Sequence, residues 1–207
     1  MLKKFVVMLT AICLCLVFAG CGGGDKKAEK KPEAKPAATE TKKAEAAPAP
    51  AAGNKKVLVA YFSWSGNTRA VAKTVQQKTG GDLFEIKTET AYPTDYHAAA
   101  ELAKKEKADN ARPKLAGPLP DVKNYDVILL GYPIWWYIEP MAVKTFVEGQ
   151  DFSGKVVLPF ATSGGSGIES SVADLRKTLP KAQVKDGILA NGGNGIDGWL
   201  QENGLAK

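Results

Sequence analysis

The stretch "VLVAYFSWSGNTRAVA", residues 57–72, decides the fold because it joins a buried strand directly to a helix. Residues 57–60 are all apolar, which is typical of a strand that is covered on both faces. From Asn67 onwards apolar residues such as Val71 and Val75 recur with helical spacing, and Gly80 predicts the end of that helix. The segment between the strand and the helix is polar, so its role bears directly on function.

Residues 63–68, "SWSGNT", can form either a simple turn or an anion-binding loop. They carry three hydroxyls, an amide side chain and a run of backbone N–H groups. The first N–H groups of a helix have no partner within the helix, and the helix dipole favours negative charge there. The loop has no lysine and the chain has no G-x-x-x-x-G-K-[ST] motif, which favours a monophosphate over a nucleoside triphosphate. A helix capped by Asn67 after a polar turn is the alternative.

The same alternation of strand and helix recurs along the rest of the chain. Apolar runs and helical periodicity predict strands over residues 56–62, 82–88, 125–133, 155–162 and 183–190, and helices over residues 67–80, 95–109, 140–149, 168–179 and 196–204. Five such alternations imply an α/β fold, a five-stranded parallel sheet that is doubly wound with helices on both faces. The strand order 2-1-3-4-5 fits this length, and it brings the carboxyl ends of strands 1, 3 and 4 together.

Two more unusual loops follow predicted strands 3 and 4. "GYPIWWYIEP", residues 131–140, contains two adjacent tryptophans and a tyrosine, which cannot all face the core. At least one large ring should therefore remain at the rim, where it could stack on a flat aromatic ligand or contact another protein. "TSGGSG", residues 162–167, has three glycines, which let the backbone approach a ligand closely.

The chain lacks the patterns of a hydrolytic, metal or dinucleotide site. A G-x-S-x-G elbow is absent, and the only histidine, His97, is predicted on the surface of the second helix. "GNGIDG", residues 193–198, matches G-x-G-x-x-G, but only nine residues follow it, so it is interpreted as a loop at the last helix. We expect no catalytic side chain and no metal ligand.

The first 53 residues are predicted to lie outside the folded domain, which spans residues 54–207. An apolar run of 15 residues after two lysines predicts an export signal over residues 1–20, because a membrane-spanning helix needs roughly 20 such residues. "AGCGGG" resembles the lipobox of bacterial lipoproteins and predicts a lipidated Cys21; an ordinary secretory signal is the alternative. Residues 21–53, rich in Ala, Lys, Pro and Glu, are predicted to be a disordered tether. We expect an exported protein, lipid-anchored to the periplasmic or extracellular face of a bacterial membrane.

Charge and cysteine content restrict the chemistry of the predicted domain. Residues 1–53 hold nine lysines and five acidic residues, whereas residues 54–207 hold 19 basic and 17 acidic residues. The domain is thus nearly neutral, and we expect no nucleic-acid partner. All three cysteines lie within the first 21 residues, which excludes disulfides, thiol chemistry, iron–sulfur clusters and cysteine-based zinc sites from the domain.

Taken together, the three loops predict one ligand. They offer a phosphate cradle, an aromatic platform and an amide-rich rim at adjacent strand ends. A flat heteroaromatic ring on a phosphorylated chain satisfies all three, which predicts flavin mononucleotide (FMN) as the cofactor.

The segments "VAYFSWSGNTRAVA", "DVILLGYPIWW" and "DFSGKVVLPFATSGGSG" resemble the flavodoxin-like proteins in order and spacing, over residues 56–199. This resemblance implies a flavodoxin-like fold with FMN at the three loops. It implies that the phosphate is bound by Ser63, Trp64, Ser65, Gly66, Asn67 and Thr68. It further implies that the ring is flanked by Pro133, Ile134, Trp135 and Trp136, and that its polar edge is reached by Thr162, Ser163, Gly164, Gly165, Ser166 and Gly167.

The resemblance implies redox chemistry carried by the flavin itself. The leading hypothesis is a membrane-anchored electron-transfer protein whose partner is a redox protein or a quinone. The alternatives are an FMN-dependent NAD(P)H or quinone reductase, and a non-redox lipoprotein binding module on the same fold. Typical flavodoxins are acidic and cytosolic, whereas this domain is nearly neutral and its N-terminus predicts export, so their usual partners are not implied.

Overall fold

The computed structural model describes residues 55–206, and the predictions for residues 1–20, Cys21 and the tether lie outside the described residues. The elements, in chain order, are β1 Val57–Tyr61, α1 Asn67–Thr79, β2 Asp82–Glu85, α2 Tyr96–Ala108, β3 Val127–Pro133, α3 Met141–Glu148, β4 Val156–Thr162, α4 Glu169–Thr178, β5 Gln183–Val184, β6 Ile188–Leu189 and α5 Ile196–Glu202. Short 3₁₀ helices lie at Val122–Asn124 and Asn191–Gly193. Every predicted helix is present within a few residues of its predicted bounds.

The sheet has the predicted order, β2-β1-β3-β4-β5, and its strands pair in parallel. Leu58 of β1 pairs with Ile128 of β3, and Leu130 of β3 pairs with Pro159 of β4. Side chains alternate between the two faces, so Leu58 packs in the layer with α3 and α4 whereas Val59 packs in the layer with α1 and α5. Both faces are therefore covered, as the unbroken apolar runs indicated.

The predicted fifth strand, residues 183–190, is interrupted in the structure. Both of its pieces, β5 and β6, pair with β4. Pro159 of β4 lies on the side that faces this edge, two residues before Ala161, whose carbonyl accepts from Ala190 N at 2.8 Å. Because proline has no N–H, the ladder breaks opposite it. Gly187 lies beside this break, where only a residue without a Cβ fits, because a Cβ there would lie 2.9 Å from the Pro159 carbonyl oxygen.

Local signals set the helix ends. Asp95 caps α2 by accepting from Ala98 N at 2.9 Å. Gly80 follows α1 with φ 69°, and its N–H donates to Gln76 O at 2.7 Å.

His97 lies exposed on α2, and α5 begins within "GNGIDG", which confirms both predictions. None of the helices between residues 55 and 206 is both apolar enough and long enough to traverse a bilayer.

A glycine in β3 tests the packing of the sheet. A Cβ on Gly131 would lie 2.2 Å from the ring of Phe160, which is fully buried on β4. Gly131→Ala should therefore lower the free energy of unfolding by about 1–3 kcal/mol, measured by urea denaturation. Gly198→Ala is the control, because Gly198 lies in α5 with open space at its Cβ position. It should be neutral or stabilising by about 0.5–1 kcal/mol; equal destabilisation by both variants would contradict the clash.

Candidate functional site

The three unusual loops meet at one edge of the sheet. Phe62 N donates to Gly131 O at 2.9 Å, which extends the β1–β3 pairing to the start of the first loop. Ile134 N donates to Thr162 O at 2.9 Å, which holds the second loop beside the third. The predicted convergence of these loops is confirmed.

Ser63, rather than Asn67, organises the start of α1. Its Oγ accepts from Gly66 N and from Arg69 N, both at 3.2 Å. Gly66 occupies the cap position with φ 94°, and Asn67 is the first helical residue. The alternative that Asn67 caps this helix is therefore wrong. Because Ser63 Oγ accepts these bonds, its hydroxyl proton remains for a ligand, and the side chains of Ser65 and Asn67 are exposed beside it.

Thr68 and Thr162 join the first and third loops through their side chains. Their Oγ1 atoms lie 2.9 Å apart, and the residues are 1% and 7% exposed. The two buried hydroxyls thus form a hydrogen bond with each other. Both residues were predicted ligand contacts on the basis of the family resemblance; in the structure their side chains act as a buried link between the loops.

Trp64 points away from the serine hydroxyls. Its Nε1 donates to Pro93 O at 2.7 Å, and its ring lies 6.2 Å from the ring of Tyr96 on α2. The side chain therefore belongs to an aromatic wall. Of Trp64, only the backbone remains for the predicted contact with the phosphate.

The second loop is a tight hairpin. Trp135 N donates to Ile138 O at 2.9 Å, and Ile138 N donates to Trp135 O at 3.2 Å. Trp136 and Tyr137 form the turn with φ of 50° and 73°. Two-residue turns of this kind normally use asparagine and glycine, and a bulky residue in such a conformation costs about 1–3 kcal/mol. The surrounding structure must hold this turn in place.

Contacts with α2 hold the hairpin, and its two tryptophans differ in role. Trp136 Nε1 donates to Ala100 O at 2.9 Å, and Lys107 Nζ donates to Trp136 O at 2.5 Å. The ring of Trp135 packs edge-on against those of Phe62 and Tyr92, at 5.4 and 5.0 Å. Trp136 is 38% exposed, which confirms that one large ring stays at the rim.

The third loop, residues 162–167, is fixed by hydrogen bonds of Ser163. Ser163 Oγ accepts from Gly165 N at 3.1 Å and Ser166 N at 2.8 Å, an arrangement similar to that of Ser63. Asn191 clamps the backbone of Ser163: its Oδ1 accepts from Ser163 N and its Nδ2 donates to Ser163 O, both at 2.9 Å. Gly164 and Gly165 remain exposed between these anchors.

Two cavities of about 370 Å³ each meet at Ser163. The first lies between the hairpin, α2 and the third loop, and it is lined by Trp64, Tyr96, Ala99, Ala100, Ala103, Ile134, Trp135, Trp136, Tyr137, Ser163, Gly164, Gly165 and Ser166. The second lies beside the start of α1 and includes Asn67, Thr162, Ser163 and Asn191. The predicted residues Ser63, Ser65, Gly66, Thr68, Pro133 and Gly167 line neither cavity.

The electrostatic setting of these cavities is close to neutral. Within residues 55–206, no charged side chain lines either cavity. Two lysines lie at the rim: Lys107 Nζ donates to Trp136 O at 2.5 Å, and Lys104 Nζ lies 5.2 Å from the ring centre of Trp136. Arg69 is neutralised by Glu85, since its Nη2 lies 2.5 Å from Glu85 Oε1. The described residues contain no cluster of three or more side chains suited to hold a metal ion.

A buried polar cluster lies under the hairpin. Glu139 is 0% exposed, and burial raises its pKa to about 8. Its Oε1 lies 3.9 Å from Lys144 Nζ and is without a hydrogen-bond partner among the described residues. Lys144 instead contacts Asp174; although partial burial opposes it, this contact lowers the pKa of Asp174. Lys144 thus forms its close ion pair with Asp174, and the raised pKa keeps the carboxyl of Glu139 protonated at neutral pH.

Comparison with known proteins identifies the family. A family model described as flavodoxin matches residues 56–203, which is most of the chain. The chain belongs to the flavodoxin family. Its α/β architecture is the flavodoxin-like fold.

Solved structures and curated flavodoxins are similar to this chain. A protein from Bacteroides eggerthii, provisionally described as a flavoprotein, is 38% identical with a TM-score of 0.66, over 72% of this chain and 98% of that one. A flavoprotein from Lactobacillus acidophilus in complex with FMN is 26% identical with a TM-score of 0.59, over 70% and 99%. A flavodoxin from Haemophilus influenzae is 30% identical over 118 residues, 55% of this chain and 51% of that flavodoxin. The chain therefore spans about half the length of the curated relatives it matches.

Sequence reasoning missed residues that contact the loops from outside. Ala99, Ala100 and Ala103 form the floor of the first cavity. Their helical spacing could have identified them from the sequence as small residues on one face of α2. Asn191 gave no such signal, because its clamp on Ser163 joins residues 28 positions apart. In the sequence Glu139 is only an acidic residue after an aromatic run, which does not predict that it is buried.

The link between the first and third loops can be measured by a double-mutant cycle. Thr68→Val or Thr162→Val alone should lower the free energy of unfolding by about 1–3 kcal/mol, because each leaves the other buried hydroxyl unpaired. The double variant should lose less than the sum of the two. Urea denaturation of all four proteins provides the values, and strictly additive losses would contradict the hydroxyl pair.

Stability should also depend on the ionisation of Glu139. Its pKa is raised from an ordinary 4.5 to about 8 in the folded protein. Between these values the folded state holds a proton that the unfolded state has lost. The free energy of unfolding should therefore fall with rising pH through this window, by up to about 1.4 kcal/mol per pH unit, and level off above it. Glu139→Gln should lack this fall; parallel curves for both proteins in urea denaturation across the window would contradict the assignment.

Proposed function

We propose that this flavodoxin-family chain binds FMN at the carboxyl edge of the sheet and transfers electrons through it. The cavity between the hairpin and the third loop carries the proposal. Its walls are aromatic, its floor is alanine, and Gly164 and Gly165, which have no side chains, line its rim. A flat heteroaromatic ring suits this slot, because it can stack on aromatic faces while N–H groups meet its polar edge.

The start of α1 suits the phosphate of the same molecule. The hydroxyl of Ser63, the exposed side chains of Ser65 and Asn67, and the first N–H groups of a 13-residue helix lie together there. They supply hydroxyl, amide and backbone N–H donors, which suit a monophosphate without a lysine. The similar flavoprotein from Lactobacillus acidophilus, whose structure contains FMN, supports the same cofactor for this chain.

In this proposal the chain positions the cofactor and sets its potential. FMN supplies the electron transfer when bound. Trp135 and Trp136 hold the ring and exclude water from it, while the third loop donates hydrogen bonds to its edge. Because the lining is uncharged, an electron-carrier role for a redox protein or quinone partner fits better than acid–base catalysis. Lipid attachment at Cys21 and a bacterial membrane surface as the location belong to the same proposal, supported by the N-terminal sequence.

An FMN-binding comparison tests the proposal. Purified protein should show flavin absorption or acquire it with added FMN, and should quench FMN fluorescence. Combined Ser65→Ala and Asn67→Ala should weaken FMN binding at least several-fold but leave riboflavin binding unchanged, because riboflavin has no phosphate. Ser153→Ala, an exposed serine far along the chain, is the control. A protein that binds neither flavin would leave the non-redox binding module as the better description.

The reduction potential tests the electrostatic part of the proposal. Among residues 55–206 no acidic side chain lines either cavity, which should make the potential for forming the fully reduced, negatively charged flavin less negative than in acidic flavodoxins. Ser166→Asp places a carboxylate at the rim and should lower the potential in a potentiometric titration. An unchanged potential would contradict this control by local charge.

Turnover separates a carrier from a reductase. A carrier should oxidise NAD(P)H only slowly when a quinone is supplied, and should exchange electrons with a protein partner. Rapid steady-state NAD(P)H oxidation would instead favour the reductase alternative.

A further inference from the structure

The segment proposed to flank the flavin ring, residues 133–138, is closed at its base by a buried hydrogen-bonded chain. Tyr132 precedes the segment and Glu139 follows it, and both are 0% exposed. Ser171 Oγ lies 2.6 Å from Tyr132 Oη and 3.4 Å from Glu139 Oε2. One hydroxyl therefore joins both ends of the segment. We call Tyr132, Ser171 and Glu139 the clasp.

The clasp also connects the two walls of the first cavity. The third loop leads directly into α4, which begins at Glu169, and Ser171 lies in the first turn of that helix with 0% exposure. The hairpin and the third loop face each other across the slot. The width of the slot thus depends on the contact between Ser171 and the two ends of the segment.

The cations on the elements around Glu139 are directed to other carboxylates. α3 contributes Lys144 and Glu148, α4 contributes Asp174 and Lys177, and the segment before β3 contributes Arg112. Arg112 is bonded to Glu148, with Nη2 2.8 Å from Oε1, whereas Lys144 contacts Asp174 and Lys177 also acts on Asp174. Lys144 Nζ comes no closer than 3.9 Å to Glu139 Oε1, which has no hydrogen-bond partner among the described residues. An ionised Glu139 would therefore be a buried charge without a hydrogen-bonded cation.

We propose that Glu139 is a positioning residue for the flavin site: its neutral carboxyl keeps the clasp closed, and loss of its proton opens the slot. The proposal rests on the proposed function. With the proton on Glu139 Oε2, this atom donates to Ser171 Oγ, which donates to Tyr132 Oη. An ionised carboxylate whose Oε1 has no partner must draw water into the cluster or leave its buried position. Either movement displaces the end of the hairpin.

The expected effect on FMN binding follows from the fraction of protein that keeps the proton. When only the closed form binds, the apparent dissociation constant is the intrinsic one divided by that fraction. Burial raises the pKa of Glu139 to about 8. Affinity for FMN should then be about tenfold lower at about pH 9 than at about pH 7.

The experiment is a titration of the full-length protein with FMN between about pH 6 and about pH 9.5, followed by quenching of flavin fluorescence. Wild type should lose affinity through this range, whereas Glu139→Gln should keep the affinity that wild type has at low pH. Glu202→Gln, an exposed acid on α5, should behave as wild type. Ionisation of FMN itself affects all three proteins equally, so the difference between them reports on Glu139. A parallel loss of affinity in wild type and Glu139→Gln would overturn the proposal.

A second variant covers the case in which Glu139→Gln disturbs the fold. Ser171→Ala removes the joint of the clasp and keeps the titrating carboxyl. It should bind FMN several-fold more weakly than wild type at about pH 6 to 7 and approach the wild-type affinity at about pH 9.5, while circular dichroism shows a folded protein. Wild-type affinity in folded Ser171→Ala at about pH 6 would also overturn the proposal.

A measurement without FMN separates this proposal from the proposed function. The amide of Ile138 bonds to Trp135 O at 3.2 Å and reports whether the hairpin is closed. Its protection from hydrogen exchange, measured by NMR on the apo protein, should fall relative to Glu139→Gln as the pH rises from about 7 to about 9. Equal protection in both proteins would overturn the clasp itself, whereas failure of every variant to bind FMN at about pH 6 would defeat the proposed function.

Discussion

Parallel pairing of β1, β3 and β4 is the constraint from which the site follows. Parallel strands all end at the same edge, so three segments far apart in the chain emerge side by side there. The pairing continues beyond the strands, through Phe62 to Gly131 and through Ile134 to Thr162. The buried Thr68–Thr162 contact then locks the first loop to the third. The polar loops can therefore be short, because the sheet beneath them has already fixed their positions.

The fold and the outline of the site could be predicted because their signals are local. The apolar runs of β1 and β3, the helical periodicity of α1 and the glycine after it each report the structure of their own segment. Chain order and length then restrict the topology to a common strand order. The same reasoning predicted that at least one large ring of residues 131–140 stays at the rim, since consecutive rings cannot all face one side of the chain, but it did not select Trp136 over Trp135.

The choice of side-chain partners could not be predicted, because it depends on distances that only the folded chain defines. Asn67 is a plausible cap for α1 by residue type, yet Gly66 occupies the cap position and Ser63 Oγ accepts from Arg69 N in the first turn. In the sequence Trp64 lies within a polar loop, yet in the structure its Nε1 donates to Pro93 O. The raised pKa of Glu139 comes first from its burial and then from the neighbouring Asp174, which itself contacts Lys144 between α4 and α3. Each of these outcomes is a competition between partners that are distant in sequence.

The interruption opposite Pro159 has a consequence at the margin of the sheet. An edge strand exposes unpaired backbone groups on which a second chain can build, and long flat edges invite aggregation. Here that edge consists of two short pieces, Gln183–Val184 and Ile188–Leu189, separated by a glycine-containing bend. An incoming strand would find only two residues in register before the template ends. The proline inside β4 thereby disfavours strand addition between neighbouring copies at this edge of the sheet.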